Sequence, residues 1–228
     1  MAKMNISIPG VLVINGRQGQ GKSHVIRFLM GEHRKRFDFG LVFTQTKFGK
    51  GNYDYIDPDF VHPEYNPKAL LELKRLHARL IKQGKKPCSF VIFDDCITGK
   101  QWQCPEMQSA VTQVRHYNFL IIISTQSPVK VANFFRTNVF QTIIFKMQGK
   151  LVIQALYEAY GQAFDSLLEF KRYLFDNTGH YSFIYFDSQC LSENRDDQYK
   201  IMKCPEVIPP FKIRFKTNTD KIAGTTTD

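Results

Sequence analysis

Eight residues near the start of the sequence have the types and the spacing of a phosphate-binding loop. The stretch Gly16-Arg17-Gln18-Gly19-Gln20-Gly21-Lys22-Ser23 fits the pattern G-x-x-x-x-G-K-[ST] in full, between a predicted strand and a predicted helix. Glycines let successive backbone N–H groups turn towards one anion, and the following helix adds the positive end of its dipole. A glycine-rich turn with an incidental Lys-Ser pair is the alternative, and the strand-loop-helix context disfavours it.

The motif assigns a role to each of its polar residues. Lys22 is expected to reach the β- and γ-phosphates of a nucleotide, and the Ser23 hydroxyl is expected to bind Mg²⁺. We therefore predict ATP and Mg²⁺ as cofactors. The predicted nucleotide-binding residues are Gly16, Arg17, Gln18, Gly19, Gln20, Gly21, Lys22, Ser23 and His24.

Two adjacent carboxylates end an apolar run later in the chain. The run Phe-Val-Ile-Phe is followed directly by Asp94 and Asp95. Asp94 is predicted to bind Mg²⁺, and Asp95 is predicted to orient or deprotonate the attacking water. Adjacent acids at the end of a strand also form ordinary turns and helix N-caps, but their position after a phosphate loop favours the catalytic interpretation.

One amide and two arginines complete the candidate catalytic residues. Gln126 follows the apolar run 119–125, where it would hydrogen-bond the γ-phosphate or the water, or simply be solvated. Arg115 and Arg136 are equal candidates for stabilising the charge that develops on the transferring phosphoryl group, in a neighbouring subunit's site. Either arginine is alternatively a surface residue or a structural ion-pair partner.

These residues need a scaffold, and the apolar pattern predicts an α/β fold. Short, continuous apolar runs alternate with longer amphipathic stretches, which is typical of βαβ units around a mostly parallel sheet. The predicted strands are 11–15, 40–44, 89–94, 119–125, 142–147 and 180–187. The predicted helices are 23–34, 67–83 and 105–116, with two more in 151–175.

Basic residues recur on the predicted helix 67–83 and in the tail. On the helix, Leu70, Leu73, Leu76 and Leu80 share one face, and a basic stripe on another comprises Arg75, Arg79, Lys82 and Lys86. In the tail, apolar residues alternate with basic ones, in the order Phe211, Lys212, Ile213, Arg214, Phe215 and Lys216. This alternation predicts an edge strand or a basic arm. We divide the chain into a domain of residues 1–188 and a basic, partly extended C-terminal extension of residues 189–228.

The composition limits the classes of protein. A net charge of +10 in 228 residues favours a polyanionic partner, although charge alone does not distinguish nucleic acid from an anionic membrane. No run approaches the roughly 18 apolar residues of a membrane span, so a soluble intracellular protein is expected. The cysteines are odd in number and form no C-x-x-C pair, which favours buried thiols over disulfides or a zinc site: Cys88, Cys96, Cys104, Cys190 and Cys204.

Taken together, three segments resemble the FtsK/HerA superfamily, and within it the poxvirus-like genome-packaging ATPases of large DNA viruses and virophages. They are GRQGQGKS, FVIFDD, and VRHYNFLIIISTQ with the following FFRTNVFQTIIF, within residues 9–148. The resemblance implies a RecA-like (ASCE) P-loop NTPase core and a homo-oligomeric ring, pentamer or hexamer. It also implies ATP-driven translocation of double-stranded DNA, with a capsid or vertex protein as a further partner.

The same resemblance implies the residue roles given above and a place of action in the infected host cell, with association with the virion as an extension. Many members of the superfamily carry Glu as the second acid, where this chain has Asp95, so a shorter side chain must reach the water. Nothing in the sequence indicates a nuclease or a separate DNA-reading domain.

Three other functions stay open from the sequence. A helicase, replication or conjugation ATPase with the same core would act on single strands, with Tyr53 and Tyr55 as candidate stacking platforms. A nucleotide-dependent assembly switch would hydrolyse ATP slowly. A small-molecule kinase is disfavoured, because the sequence shows no acceptor-site or lid motif and the charge suits a polymer.

Overall fold

A computed structural model describes residues 4–45, 49–96, 101, 103–131 and 136–215. Within them, eight strands form one sheet in the order β3-β2-β4-β5-β1-β6-β7-β8. The strands are β1 Gly10–Asn15, β2 Phe39–Thr44, β3 Val61–His62, β4 Ser89–Asp94, β5 Phe119–Thr125, β6 Gln141–Ile144, β7 Ser182–Asp187 and β8 Tyr199–Lys203.

The first six strands pair in parallel, and β7 and β8 extend the sheet antiparallel. β1 therefore lies inside the sheet, with β5 and β4 on one side and β6 and β7 on the other. The carboxyl ends of the parallel strands share one edge, which is where open α/β sheets bind ligands. We call this the carboxyl edge.

The predicted strands are confirmed as elements, and continuous burial explains them. Every residue of β1, β2 and β4 is buried, as expected for parallel strands covered on both faces. The prediction for β6 was too long, because pairing with β1 and β7 ends at Ile144 although Phe145 and Met147 are also buried. Apolar burial continues there without a strand.

The helices cover the sheet and connect its strands. They are α1 Lys22–His33, α2 Gly49–Asn52, α3 Pro67–Lys82, α4 Pro105–Thr112, α5 Val114–Tyr117, α6 Lys150–Tyr160, α7 Leu167–Asn177 and α8 Arg195–Gln198. In α3, Asn66 caps the amino end, Pro67 occupies the first turn, and three of the four predicted leucines are buried. The amphipathic helix with an exposed basic face is thus confirmed, although Lys86 lies beyond its end.

The prediction of one helix over residues 105–116 was wrong. The backbone breaks at Gln113, whose φ of −102° and ψ of 19° separate α4 from α5. At the end of α4 the Thr112 hydroxyl donates to the Gln108 carbonyl at 2.9 Å. Such back-bonding by threonine bends helices, and apolar periodicity does not reveal it.

Residues 211–215 pack against the core instead of forming the predicted edge strand or basic arm. The Phe211 ring lies 4.7 Å from that of Tyr55, and the Phe215 ring lies 4.8 Å from that of Phe60. Ile213 is 5% exposed and its N–H donates to the Tyr55 carbonyl. The edge strand is β8 instead; Lys216 lies outside the described residues. The division of the chain at residue 188 stays a prediction.

All five cysteines are free thiols, and Cys88, Cys96 and Cys204 are buried. No helix in the described part of the chain is long and apolar enough to cross a membrane.

Gly40 in β2 leaves the space that Phe90 in β4 fills. The two residues are partners in the β2–β4 register, and a Cβ at position 40 would overlap the Phe90 ring. Gly40→Ala should therefore lower the free energy of unfolding by about 1–3 kcal/mol, because the fully buried Phe90 ring would have to shift within the core. Urea denaturation measures this change.

Gly51→Ala is the matched control, since nothing lies within 4 Å of a Cβ built there. Adding Phe90→Leu to Gly40→Ala should cost less than the sum of the single changes. Full additivity, or an unchanged stability of Gly40→Ala, would contradict the proposed overlap.

Candidate functional site

The predicted phosphate loop joins β1 to the first turn of α1, at the carboxyl edge of the sheet. Gly19 and Gly21 have φ values of 79° and 98°, which favour residues without a Cβ. Gly16 donates its N–H to the Thr125 carbonyl at 3.1 Å, which ties the loop to the end of β5. The loop therefore leaves β1 at the edge where β4 and β5 also end.

Hydrogen bonds within the loop and to residues that follow β6 hold the loop in shape. The Gln20 amide donates to the Lys146 carbonyl, and its oxygen accepts from the Arg17 N–H at 2.7 Å. The Arg17 guanidinium lies 3.4 Å from the Gln148 amide oxygen. These contacts preform the loop, since each one fixes a residue within the turn itself. Of the other predicted contacts, Gln18 is exposed and His24 donates from Nε2 to the Pro205 carbonyl at 2.7 Å.

Lys22 is buried at the amino end of α1 and pairs with Asp95. Its side chain is 7% exposed, and Nζ lies 3.1 Å from Asp95 Oδ2 and 3.4 Å from the Arg17 carbonyl oxygen. An ammonium group that has left water needs such an anion. The loop and the second predicted carboxylate are thus in direct contact.

Asp94, the last residue of β4, is the most deeply buried acid of the site, at 5% exposure. Its Oδ2 accepts hydrogen bonds from the Ser23 hydroxyl at 3.4 Å and from the Tyr53 hydroxyl at 2.9 Å. Burial raises the pKa of Asp94, and the hydrogen bond from Tyr53 opposes that rise. Burial also raises the pKa of Tyr53, so its hydroxyl stays a donor.

Asp95 and Gln126 meet at the open side of the site. Asp95 has a φ of 49°, a left-handed conformation that aspartate tolerates better than most residues. Its Oδ2 accepts a hydrogen bond from the Gln126 amide at 2.9 Å as well as the contact with Lys22. The structure brings these three predicted residues together, while their roles stay predictions.

Both arginines contact residues outside the cluster of Lys22, Asp94, Asp95 and Gln126. Arg115 is in α5, before the amino end of β5, where its guanidinium lies over the Phe140 ring and 3.4 Å from Gln189. That position is at the edge of the sheet opposite the phosphate loop. Arg136 donates to the carbonyls of Val131 at 3.0 Å and Val129 at 3.4 Å.

Tyr53 and Tyr55 are not stacking platforms. They are 1% and 0% exposed, and the Tyr53 hydroxyl binds Asp94. The suggestion that they stack on nucleic-acid bases was therefore wrong, because neither ring has an accessible face. Sequence reasoning missed the contact with Asp94, since only the fold brings residues 53 and 94 together.

The oxygens at this edge fit a Mg²⁺ ion. The Ser23 hydroxyl and the Asp94 carboxylate are hard ligands at adjacent positions, and a cation there would offset the cost of burying the Asp94 charge. The described residues contain no group of three or more His, Cys, Asp and Glu side chains suited to a metal. Mg²⁺ does not need one, because it keeps several waters and binds phosphate oxygens.

Replacing Asp94 and replacing Asp95 by Asn should change the stability of the fold in opposite directions in metal-free buffer. Because the pKa of Asp94 is raised in the folded state, its ionisation opposes folding above that pKa, and the penalty vanishes below its ordinary value of 3.8. Asp94→Asn should therefore raise Tm at neutral pH, by an amount that shrinks as pH falls through the folded-state pKa towards 3.8.

Asp95→Asn is the matched change, and it should lower the free energy of unfolding by about 1–3 kcal/mol because it leaves the Lys22 ammonium without its anion. Thermal unfolding of both variants between neutral and acidic pH measures the two effects. A loss of stability in Asp94→Asn at neutral pH would rule out the proposed burial penalty.

No protein-family model matches the chain. "Uncharacterized protein 075L" of Invertebrate iridescent virus 6 is 29% identical over 184 residues, which are 78% of this chain and 70% of that protein. "Uncharacterized protein L437" of Acanthamoeba polyphaga mimivirus is 28% identical over 179 residues, or 73% and 62% of the two chains. The chain thus spans less than three quarters of either relative.

Solved structures resemble the chain over most of its length. The genome packaging NTPase B204 of Sulfolobus turreted icosahedral virus 2, in complex with AMPPCP, aligns with a TM-score of 0.61 at 18% identity. The alignment covers 86% of this chain and 97% of that one. B204 of Sulfolobus turreted icosahedral virus, described as the DNA-packaging ATPase, gives 0.60 at 17% identity, with 87% and 98% covered. The predicted fold is confirmed: the chain has the fold of a RecA-like P-loop ATPase of the kind found in viral genome-packaging NTPases, and its sequence relatives are proteins of large DNA viruses.

Proposed function

We propose that this chain is an ATPase that drives double-stranded DNA through a ring of its own copies during viral genome packaging. One observation carries the proposal: Lys22 and Ser23 of the loop contact the two carboxylates at the end of β4, and Gln126 contacts the second of them. A phosphate loop, a metal-binding acid, an activating acid and a polar sensor are the parts that ATP hydrolysis requires.

The residues divide the work of hydrolysis among them. Loop N–H groups and Lys22 bind the phosphates, and Ser23 and Asp94 hold Mg²⁺, which neutralises charge on the phosphate oxygens. When Lys22 turns to the phosphates it releases Asp95, whose carboxylate then accepts a proton from the attacking water. Gln126 hydrogen-bonds Asp95 before that step, so it senses the change and transmits it to the end of β5.

The DNA-binding part of the proposal rests on charge. The net charge is +10, and three residues of the basic stripe line a surface cleft of about 470 Å³: Arg75, Arg79 and Lys82. Contacts of this kind bind phosphates without sequence preference and weaken as salt rises. A motor that moves along any sequence needs this mode of binding.

The remaining parts of the proposal concern assembly. Arg115 and Arg136 are the candidates for an arginine that acts on the neighbouring subunit's ATP, and Arg115 lies at the edge of its own subunit that is opposite the phosphate loop. The motor would engage a capsid or vertex protein in the host cell, with residues 1–188 as the ATPase domain and residues 189–228 as its extension. The alternative of a single-strand helicase has less support, because Tyr53 and Tyr55, the two stacking residues suggested for it, are buried.

ATP hydrolysis should depend on Lys22 and respond to DNA. Lys22→Ala should reduce turnover about 100-fold or more, because it removes the charge that stabilises the transferring phosphoryl group. Lys35→Ala, an exposed lysine beyond the end of α1, is the control. Phosphate release is measured at two salt concentrations, with and without long double-stranded DNA, and stimulation by DNA should weaken at the higher one.

Stimulation by single strands alone would favour the helicase. Indifference to every nucleic acid would favour the assembly switch, and full turnover by Lys22→Ala would remove the ATPase assignment.

The basic stripe should affect DNA without affecting basal turnover. Changing Arg75, Arg79 and Lys82 together to Gln should raise the DNA concentration for half-maximal stimulation about tenfold. The slope of the logarithm of this concentration against the logarithm of the salt concentration should fall by roughly 2–3. The triple variant Lys35→Gln, Lys171→Gln and Arg172→Gln removes the same charge from exposed positions elsewhere. Equal effects of the two triple variants would mean that net charge alone matters and that the stripe is a solvated helix face.

A further inference from the structure

A tight turn in an unfavourable conformation precedes β7. Ser182 donates its N–H to the Gly179 carbonyl at 2.8 Å, and the two residues form a β-bridge. Between them, His180 and Tyr181 have φ values of 46° and 65°. Positive φ at both central residues defines a type I′ turn, which Asn-Gly ordinarily fills. A bulky residue in this region is strained, and strain of this kind gathers at functional sites.

The turn places the Tyr181 ring against the phosphate loop. Because β7 runs antiparallel to β6, its first residue lies at the carboxyl edge, where the loop also lies. A Cβ built on Gly21 would lie 3.2 Å from Tyr181 Cδ1 and 3.8 Å from Cε1. The residue is nevertheless 61% exposed. The aromatic side chain therefore touches the loop and leaves most of its surface to solvent.

The two sides of the loop differ in chemistry. On the β4 and β5 side lie Asp94, Asp95 and Gln126, whose oxygens serve the metal and the water and would repel further phosphate oxygens. On the β6 and β7 side lies an aromatic ring. A nucleotide whose phosphates occupy the loop thus meets carboxylates in one direction and an apolar surface in the other.

We propose that the strained turn presents Tyr181 as the platform on which the base of the bound nucleotide stacks. This inference rests on the proposed nucleotide site at the loop. Every base has a π-face, so the platform binds adenine and guanine nucleotides alike. The rigid two-residue turn fixes the ring in advance, which reduces the entropy lost on binding.

Titration calorimetry distinguishes the contribution of the base to binding from that of the phosphates. With Mg²⁺ present, Tyr181→Ala should weaken binding of AMPPCP and of its guanine counterpart about tenfold or more, which is the range of base–aromatic stacking. Binding of inorganic tripolyphosphate, which has no base, should be unchanged. Tyr181→Phe keeps the ring and should bind as the parent does. Lys22→Ala should weaken binding of all three ligands.

A glycine variant distinguishes the loss of base stacking from a structural disturbance of the turn. Tyr181→Gly should raise Tm, because glycine accepts positive φ without strain, and should weaken AMPPCP binding as much as Tyr181→Ala does. Unchanged AMPPCP affinity in Tyr181→Ala would overturn the inference. So would an equal loss for tripolyphosphate, since the ring would then act only by packing on the loop. If Lys22→Ala binds all ligands normally, the proposed nucleotide site itself fails.

Discussion

The buried ammonium of Lys22 is the constraint on which the site depends. The residue lies at the amino end of α1, where the helix dipole already presents positive charge, and only 7% of it is exposed. An anion must therefore lie beside it. Asp95 supplies that anion and adopts a left-handed conformation in doing so. The phosphates of a nucleotide carry the same sign of charge, so the electrostatic need that Asp95 meets also favours phosphate at the loop.

The sheet order places an anion beside Lys22. Lys22 follows β1, Asp95 follows β4 and Gln126 follows β5, and the order β4-β5-β1 brings the three strand ends together although residues 22 and 95 are far apart in sequence. β6 and β7 lie on the other side of β1, so they support the loop from a direction that carries none of these three residues. β1 thus separates a side with carboxylate and amide groups from a side where Gln20 donates a hydrogen bond to the Lys146 carbonyl and Tyr181 packs against the loop.

The sequence predicted the parts of the site that local pattern controls. The loop motif is recognisable from its residues alone. The strands that end in Asp94 and Thr125 are recognisable because parallel strands covered on both faces appear in the sequence as continuous apolar runs. Prediction from the sequence failed for residues whose conformation depends on contacts with distant parts of the chain. Alternation at Phe211, Ile213 and Phe215 is typical of a strand, but their partners Tyr55 and Phe60 hold them as a packed segment. Tyr53 likewise looked accessible, because nothing local indicates its hydrogen bond to Asp94.

Backbone strain gives an independent view of the same site. Among the described residues, four other than glycine have positive φ: Asp95, Asn118, His180 and Tyr181. Asn118 ends α5 and bonds the Pro87 carbonyl, which is an ordinary helix-ending role for asparagine. The other three lie at the carboxyl edge. Asp95 follows β4, two strands from β1 on one side, and His180 and Tyr181 precede β7, two strands from β1 on the other. Residues with poor local propensity persist where other interactions over-determine their conformation. Asp95 and Tyr181 contact the loop from opposite sides, at Lys22 and at Gly21, so the interactions that hold these two unfavourable conformations in place include the loop itself.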